Sequence, residues 1–182
     1  IQYNIKSLYT HVSQGKKLIG LEPSCILGFL DDFNDLVDEE TREMGLLIAK
    51  NTMLIEEFVL FAIENGSSID FKNPPETIAF HGHCHQKAMI GTDPALKTLQ
   101  LLPGTEISEI NSGCCGMAGS FGFEKEHFDI SNQIGERELL PVIRNSSKET
   151  SIVSEGVSCR QQIFSGTGKK SHHLVEILAN SL

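Results

Sequence analysis

No apolar run in this chain approaches the roughly 20 residues that a membrane-crossing helix needs. The longest apolar region, Met53 to Ile63, is interrupted by Glu56 and Glu57. A secretory leader pattern is missing as well. Positive charge is scarce: 15 Lys and Arg stand against 24 Asp and Glu, for a net charge of -9. That balance argues against a general nucleic-acid binder, whose affinity comes from neutralising phosphates, and leaves open an interface with a basic redox partner. Cysteines are few and odd in number, five spread over the whole length. A small secreted disulfide scaffold carries a dense, even set, so a reducing compartment with metal-binding or catalytic thiols fits better. The expected location is cytoplasmic, or peripheral at the cytoplasmic face of a membrane. There is no initiator Met, and the abrupt opening at Ile1 reads as a segment of something longer.

Hydrophobic residues make up 40% and charged residues 21%, as in an ordinary globular protein of one domain, or one domain and part of another. Short apolar runs bounded by turn residues predict buried strands at Lys17–Leu21, Thr77–Phe80, Glu106–Ile110 and Ser151–Ser154. Helices are predicted over Asn51–Glu64, over Asp93–Leu102 with Asp93 as cap and Gly104 as stop, and over Glu124–Arg144 with a break near Pro141. A last one covers Ser171–Ala179 with Ser171 as cap. Strand alternating with helix predicts an α/β fold, a mainly parallel sheet with helices on both faces. Ligands sit at the carboxyl ends of strands in such sheets, and every cysteine falls in a loop at such an end. Ile19–Cys25 and Ile152–Cys159 share a strand, a Glu, a turn residue and Ser-Cys, a weak echo that divides the chain into 1–65 and 66–182.

The most informative feature is Ser112-Gly113-Cys114-Cys115-Gly116-Met117-Ala118-Gly119. Two adjacent thiols between glycines pack poorly. Gly113, Gly116 and Gly119 allow turns that aim several N–H groups at one point, as around iron–sulfur clusters. With Cys84 and Cys159, the second part offers four thiolates, the complement of a [4Fe–4S] cluster and equally of a structural zinc. His81, His83 and His85 alternate about Cys84, so His83 and His85 are rival ligands; the plainer reading is that one imidazole orients a ligand. Gly113-x-x-Gly116-x-x-Gly119 is also a weak phosphate-cradle pattern, disfavoured by the cysteines inside it. His172-His173 reads as surface or helix cap, and the acidic run Asp31–Glu43 as a solvated face.

His83-Cys84-His85-Gln86, Gly113-Cys114-Cys115-Gly116-Met117-Ala118-Gly119-Ser120-Phe121-Gly122 and Glu155-Gly156-Val157-Ser158-Cys159-Arg160-Gln161-Gln162-Ile163 together resemble the cysteine-rich CCG domain. That domain occurs, usually as two tandem copies, in heterodisulfide reductases, in the iron–sulfur component of glycolate oxidases and in anaerobic glycerol-3-phosphate dehydrogenases. It also ends large fusions with an FAD-linked oxidase. The resemblance implies that residues 66–182 are a second copy and residues 1–65 the remnant of a first, with Cys25 as its last cysteine. The fullest motif ends in Cys-x-x-Cys, whereas Gly156 stands three residues before Cys159. Four cysteines rather than five imply a conventional cluster or zinc in place of the non-cubane pair, and Cys25 is expected to be a free thiol here.

The resemblance therefore implies an electron-transfer module of a flavin-dependent oxidoreductase acting on a 2-hydroxy acid of the lactate, glycolate or 2-hydroxyglutarate type. Its partners would be flavin and ferredoxin-like domains and a quinone or other acceptor. FAD and the catalytic residues would lie outside this chain. The alternative is a structural zinc or metal-free assembly domain. A third reading is thiol–disulfide chemistry at Cys114 and Cys115, where a strained vicinal disulfide would be oxidising.

Overall fold

The structure, a computed structural model, describes residues 1–182 apart from the side chain at position 34. Helix α1 (Gln2–Val12) leads into strand β1 (Leu18–Gly20), helices α2 (Pro23–Ile26), α3 (Asp32–Leu36) and α4 (Arg42–Lys50), strand β2 (Thr52–Leu54) and helix α5 (Ile55–Glu64). Next come β3 (Thr77–His81), α6 (Cys84–Met89), α7 (Asp93–Leu99), β4 (Glu106–Glu109), α8 (Phe128–Glu136) and α9 (Leu139–Asn145). The chain closes with β5 (Ser151–Ser154), α10 (Val157–Thr167), β6 (Ser171–His172) and α11 (Leu174–Asn180). All strand pairing is parallel: β1 with β2, and a second sheet in the order β4-β3-β5-β6. The expected α/β architecture is the one observed.

The central strands are buried on both faces, which is why they read as near-continuous apolar runs. Ile78, Phe80 and Val153 face one layer with Leu99 of α7 and Leu174 and Ile177 of α11. The alternate residues Ala79 and Ile152 face the other layer with Leu139, Leu140 and Ile143 of α9 and Ile163 of α10. Phe80 and Ile163 are both fully buried, each adding about 1.5–3 kcal/mol of hydrophobic stabilisation. Among the described residues no helix is long and apolar enough to cross a membrane.

Several expectations are corrected. Thr52–Leu54 is a strand, and the helix starts only at Ile55. Ser171 lies in a two-residue strand, and His173 is the cap of α11, its side chain accepting from Val175 N at 3.0 Å. The break in the 124–144 segment falls between Glu136 and Leu139, and Pro141 sits in the first turn of α9, where its missing N–H costs nothing. Helix α10 was not anticipated, because its buried side includes Gln162 and hides the apolar period. Gln162 is satisfied by donating to Ser131 O at 3.1 Å. Helix α10 ends with Gly168 at φ 70, a left-handed cap.

The echo between the two halves has a structural counterpart. β1 runs into α2 and pairs with β2, which runs into α5; β5 runs into α10 and pairs with β6, which runs into α11. Leu54 N is capped by Glu57 at 2.9 Å, and His173 N by Glu176 at 2.7 Å. The halves also grip each other. Glu22 accepts from Val157 N at 2.9 Å, so a carboxylate covers the positive end of α10. His173 Nδ1 is an acceptor, so the proton sits on Nε2, which donates to Leu21 O at 2.7 Å.

Candidate thiol site at the sheet rim

Three loops deliver the thiols. Cys84 opens α6 just past β3, Cys159 is third in α10 just past β5, and Cys114 and Cys115 follow β4. Parallel strands send all three loops to one rim. The sulfurs meet as a row of interacting neighbours, Cys84 with Cys114, Cys114 with Cys115, and Cys115 with Cys159, and the Cys159 charge also acts on Cys84. Cys115 and Cys159 are buried, Cys84 and Cys114 half-buried, and all are free thiols. Cys25 is exposed on α2 and outside the row. A cavity of about 120 Å³, lined by Gly113, Ile134 and Arg137 among others, opens on Cys114.

Hydrogen bonds from Cys115 and Cys84, joined by Gly116 N–H at 3.3 Å, hold the Cys114 thiol well below its usual range. Cys159 is held low by Cys115 and then by His81, against the opposing effect of burial. Cys115 is pushed up by its hydrogen bonds to Cys114 and Cys159 and by burial; Cys84 is pushed up by its bond to Cys114 and by burial.

This donor set fits a soft cation or an iron–sulfur cluster: four thiols, partial thiolate character, and N–H groups of Gly116 and Met117 directed at sulfur. Among the described residues no three His, Cys, Asp or Glu side chains already surround a common metal position.

The histidines take other roles. His83 Nδ1 accepts from His85 N at 3.2 Å and caps α6, which places its proton on Nε2 and leaves no free lone pair for a metal. His85 Nε2 lies 3.8 Å from Asp31 Oδ2. His81, 0% exposed, contacts Ser112 Oγ at 2.8 Å through Nδ1, and its Nε2 has no hydrogen-bond partner but acts electrostatically on Cys159.

The glycines divide. Gly116 has φ 99, and a Cβ there would lie 2.2 Å from Ser131 O. Gly119 has φ 67 with open space around it. Gly113 is neither left-handed nor crowded, so the backbone does not require glycine there. The loop runs into a 3-10 turn at Phe121–Phe123 rather than a helix N-terminus. At Gly156 a Cβ would lie 2.5 Å from the His83 ring and 3.1 Å from Cys159 Sγ, so His83 fills the room that a side chain would need.

Glu56 and Glu155 were not anticipated as part of the surroundings. Both are 0% exposed, and they face each other. Burial raises both carboxyls, Glu155 well above the usual carboxylate range, with the neighbouring Glu56 charge adding to it. The folded chain keeps a proton that the unfolded chain releases. Stability is therefore fully present below the ordinary carboxylate pKa and is lost as pH rises toward the folded value, at up to about 1.4 kcal/mol per pH unit per proton. Urea midpoints from pH 4 to 9 are expected to fall with pH for the wild type and to fall less for Glu155→Gln. Parallel curves would remove the shared proton.

No protein-family model matches the chain. Over 180 residues, 98% of its length, it is 26% identical to one of the component chains of the anaerobic glycerol-3-phosphate dehydrogenase of Escherichia coli strain K12, covering 44% of that protein. It is 26% identical over 165 residues to the D-2-hydroxyglutarate dehydrogenase of the same organism, covering 90% of this chain and 15% of that protein. The Haemophilus influenzae D-2-hydroxyglutarate dehydrogenase is 25% identical over 170 residues, covering 88% of this chain and again 15% of that protein. The chain thus spans less than half the length of these curated relatives.

Proposed function

We propose that this chain is the metal–thiolate electron-transfer module of a larger dehydrogenase, with Cys84, Cys114, Cys115 and Cys159 holding a [4Fe–4S] cluster. The observation that carries the reading is the meeting of those four thiols at one rim from three separate loops. Relatives that are dehydrogenases or dehydrogenase components support it, and so does the likeness to the CCG domain.

A bound cluster would supply one-electron chemistry. The chain's own part is to hold the sulfurs, screen them from water on the Cys115 and Cys159 side, and direct N–H groups of Gly116 and Met117 at Cys114 and Cys115. Hydrogen bonds to sulfur offset negative charge and raise the potential. Cys114 is half-buried and lines the cavity, one route by which a partner could approach the thiols.

In the parent protein we infer a flavin domain that oxidises a 2-hydroxy acid, ferredoxin-like domains between the flavin and this module, and a quinone or other acceptor beyond it. The matching strand–helix pairs support residues 1–65 as the end of one copy and 66–182 as a second. A cytoplasmic or peripheral membrane location accords with this.

Zinc is the second reading, favoured by the donor count: four thiolates satisfy a tetrahedral site, and Gly156 offers no fifth. Anaerobic reconstitution with iron and sulfide, followed by element analysis, separates the two. About four iron and four sulfide per chain with broad visible absorbance supports the cluster. One zinc and no colour supports the structural site, and neither metal removes both.

A further inference from the structure

Gln86 is the polar centre of a buried network that no cysteine motif reveals. It is 0% exposed in the first turn of α6. Its Oε1 accepts from His83 N at 3.2 Å, and its Nε2 donates to Glu56 Oε1 at 2.7 Å. Glu155, also 0% exposed, lies beside Glu56 and Gln86 and interacts electrostatically with both, and among the described residues neither of its carboxyl oxygens has a hydrogen-bond partner. Each member is anchored to a different part of the site. Gln86 closes the turn that begins at Cys84. Glu155 precedes Gly156, the N-cap of α10, whose α-carbon packs against the His83 ring and Cys159. Glu56 belongs to α5, where its backbone O accepts from Thr98 at 3.1 Å.

We propose that Gln86, held by Glu56 with Glu155 packed alongside, is the positioning residue of the thiol site, tying the Cys84 turn to the Cys159 turn through helix α5 of the first half. The inference rests on the four-thiolate reading for its metal readout only; the thiol readout stands without it. The physical ground is the cost of the arrangement. Two buried carboxyls side by side are unfavourable, and among the described residues three of their four oxygens have no hydrogen-bond partner. A network held at that cost fixes geometry, because moving any member leaves a buried polar atom unpaired. It also makes the site depend on residues before 66.

The test uses the whole chain. In the metal-free reduced protein, alkylation by iodoacetamide is followed at each cysteine by mass spectrometry. Glu56→Ala and Gln86→Met are expected to speed labelling of Cys84 and Cys159 about 10-fold or more, with Cys115 and exposed Cys25 little changed. Glu56→Gln keeps an acceptor for Gln86 and is expected to restore the wild-type pattern. The Glu56→Ala/Gln86→Met double variant should be no faster than the faster single, since both cut one linkage. For the zinc-loaded chain, release to a chromophoric chelator should accelerate about 10- to 100-fold in the same variants. Equal behaviour of Glu56→Gln and Glu56→Ala, additive effects in the double variant, or uniform labelling of all buried thiols would overturn the proposal. If Gln86→Met does not fold, the Glu56→Ala and Glu56→Gln pair decides. A chain that takes up no metal removes the proposed function, and the alkylation pattern still judges the network.

Discussion

Cys115→Ser is expected to strip the metal from the reconstituted protein, lowering iron from about four per chain to below one. Cys115 sits in the middle of the row, between Cys114 and Cys159, and is 2% exposed. A serine there is nearly the same size, so the fold should survive, and circular dichroism will check it. The alkoxide that a metal would need is far less accessible than a thiolate. Cys25→Ser is the matched control: Cys25 is exposed and outside the row, so its loss should leave metal content unchanged. Full iron content in Cys115→Ser would take that residue out of the ligand set. Loss of metal in Cys25→Ser would mean that the thiol row does not account for binding.

Gly116→Ala is expected to destabilise the chain by about 2–5 kcal/mol, a large part of the roughly 5–15 kcal/mol that holds a domain folded. Two causes add. The backbone at φ 99 is unfavourable for any residue with a Cβ, and that Cβ would lie 2.2 Å from Ser131 O in α8. Ser131 cannot yield cheaply, since it is 1% exposed and its carbonyl and hydroxyl both receive Gln162 Nε2 of α10. Gly119 separates the two causes: at φ 67 with nothing within 4 Å, Gly119→Ala should cost only the conformational part, about 1–2 kcal/mol. Urea denaturation of both variants gives the comparison. Equal losses would show that the Ser131 contact carries no weight.

Ser131 and Glu56 mark where reading the chain reached its limit. The CCG loop was legible because its signal is local: adjacent thiols and glycines carry their chemistry within eight residues. The strands before Cys84 and Cys159 were legible because burial on both faces leaves short apolar runs, whereas β4 before Cys114 is a largely exposed edge strand. Strands β2 and β6, three and two residues long, were absorbed into the helices that follow them, since a run that short has no period of its own. The ligand role of the histidines was undecidable from spacing. Which ring nitrogen accepts the His85 N–H is a matter of backbone conformation, and the structure gives that role to His83 Nδ1.

The amino-acid order alone determined the α/β class, the rim on which the cysteines fall, and the kind of element that four thiolates prefer. These follow from period, turn chemistry and ligand softness, which act within a few residues. Tertiary structure alone decided that helix α5 reaches the site, that Glu56 of the first half meets Glu155 of the second, and that His83 occupies the space beside Gly156. Such contacts depend on how one layer lies against another. That is set by the packing of many side chains at once, so no single stretch of sequence encodes it.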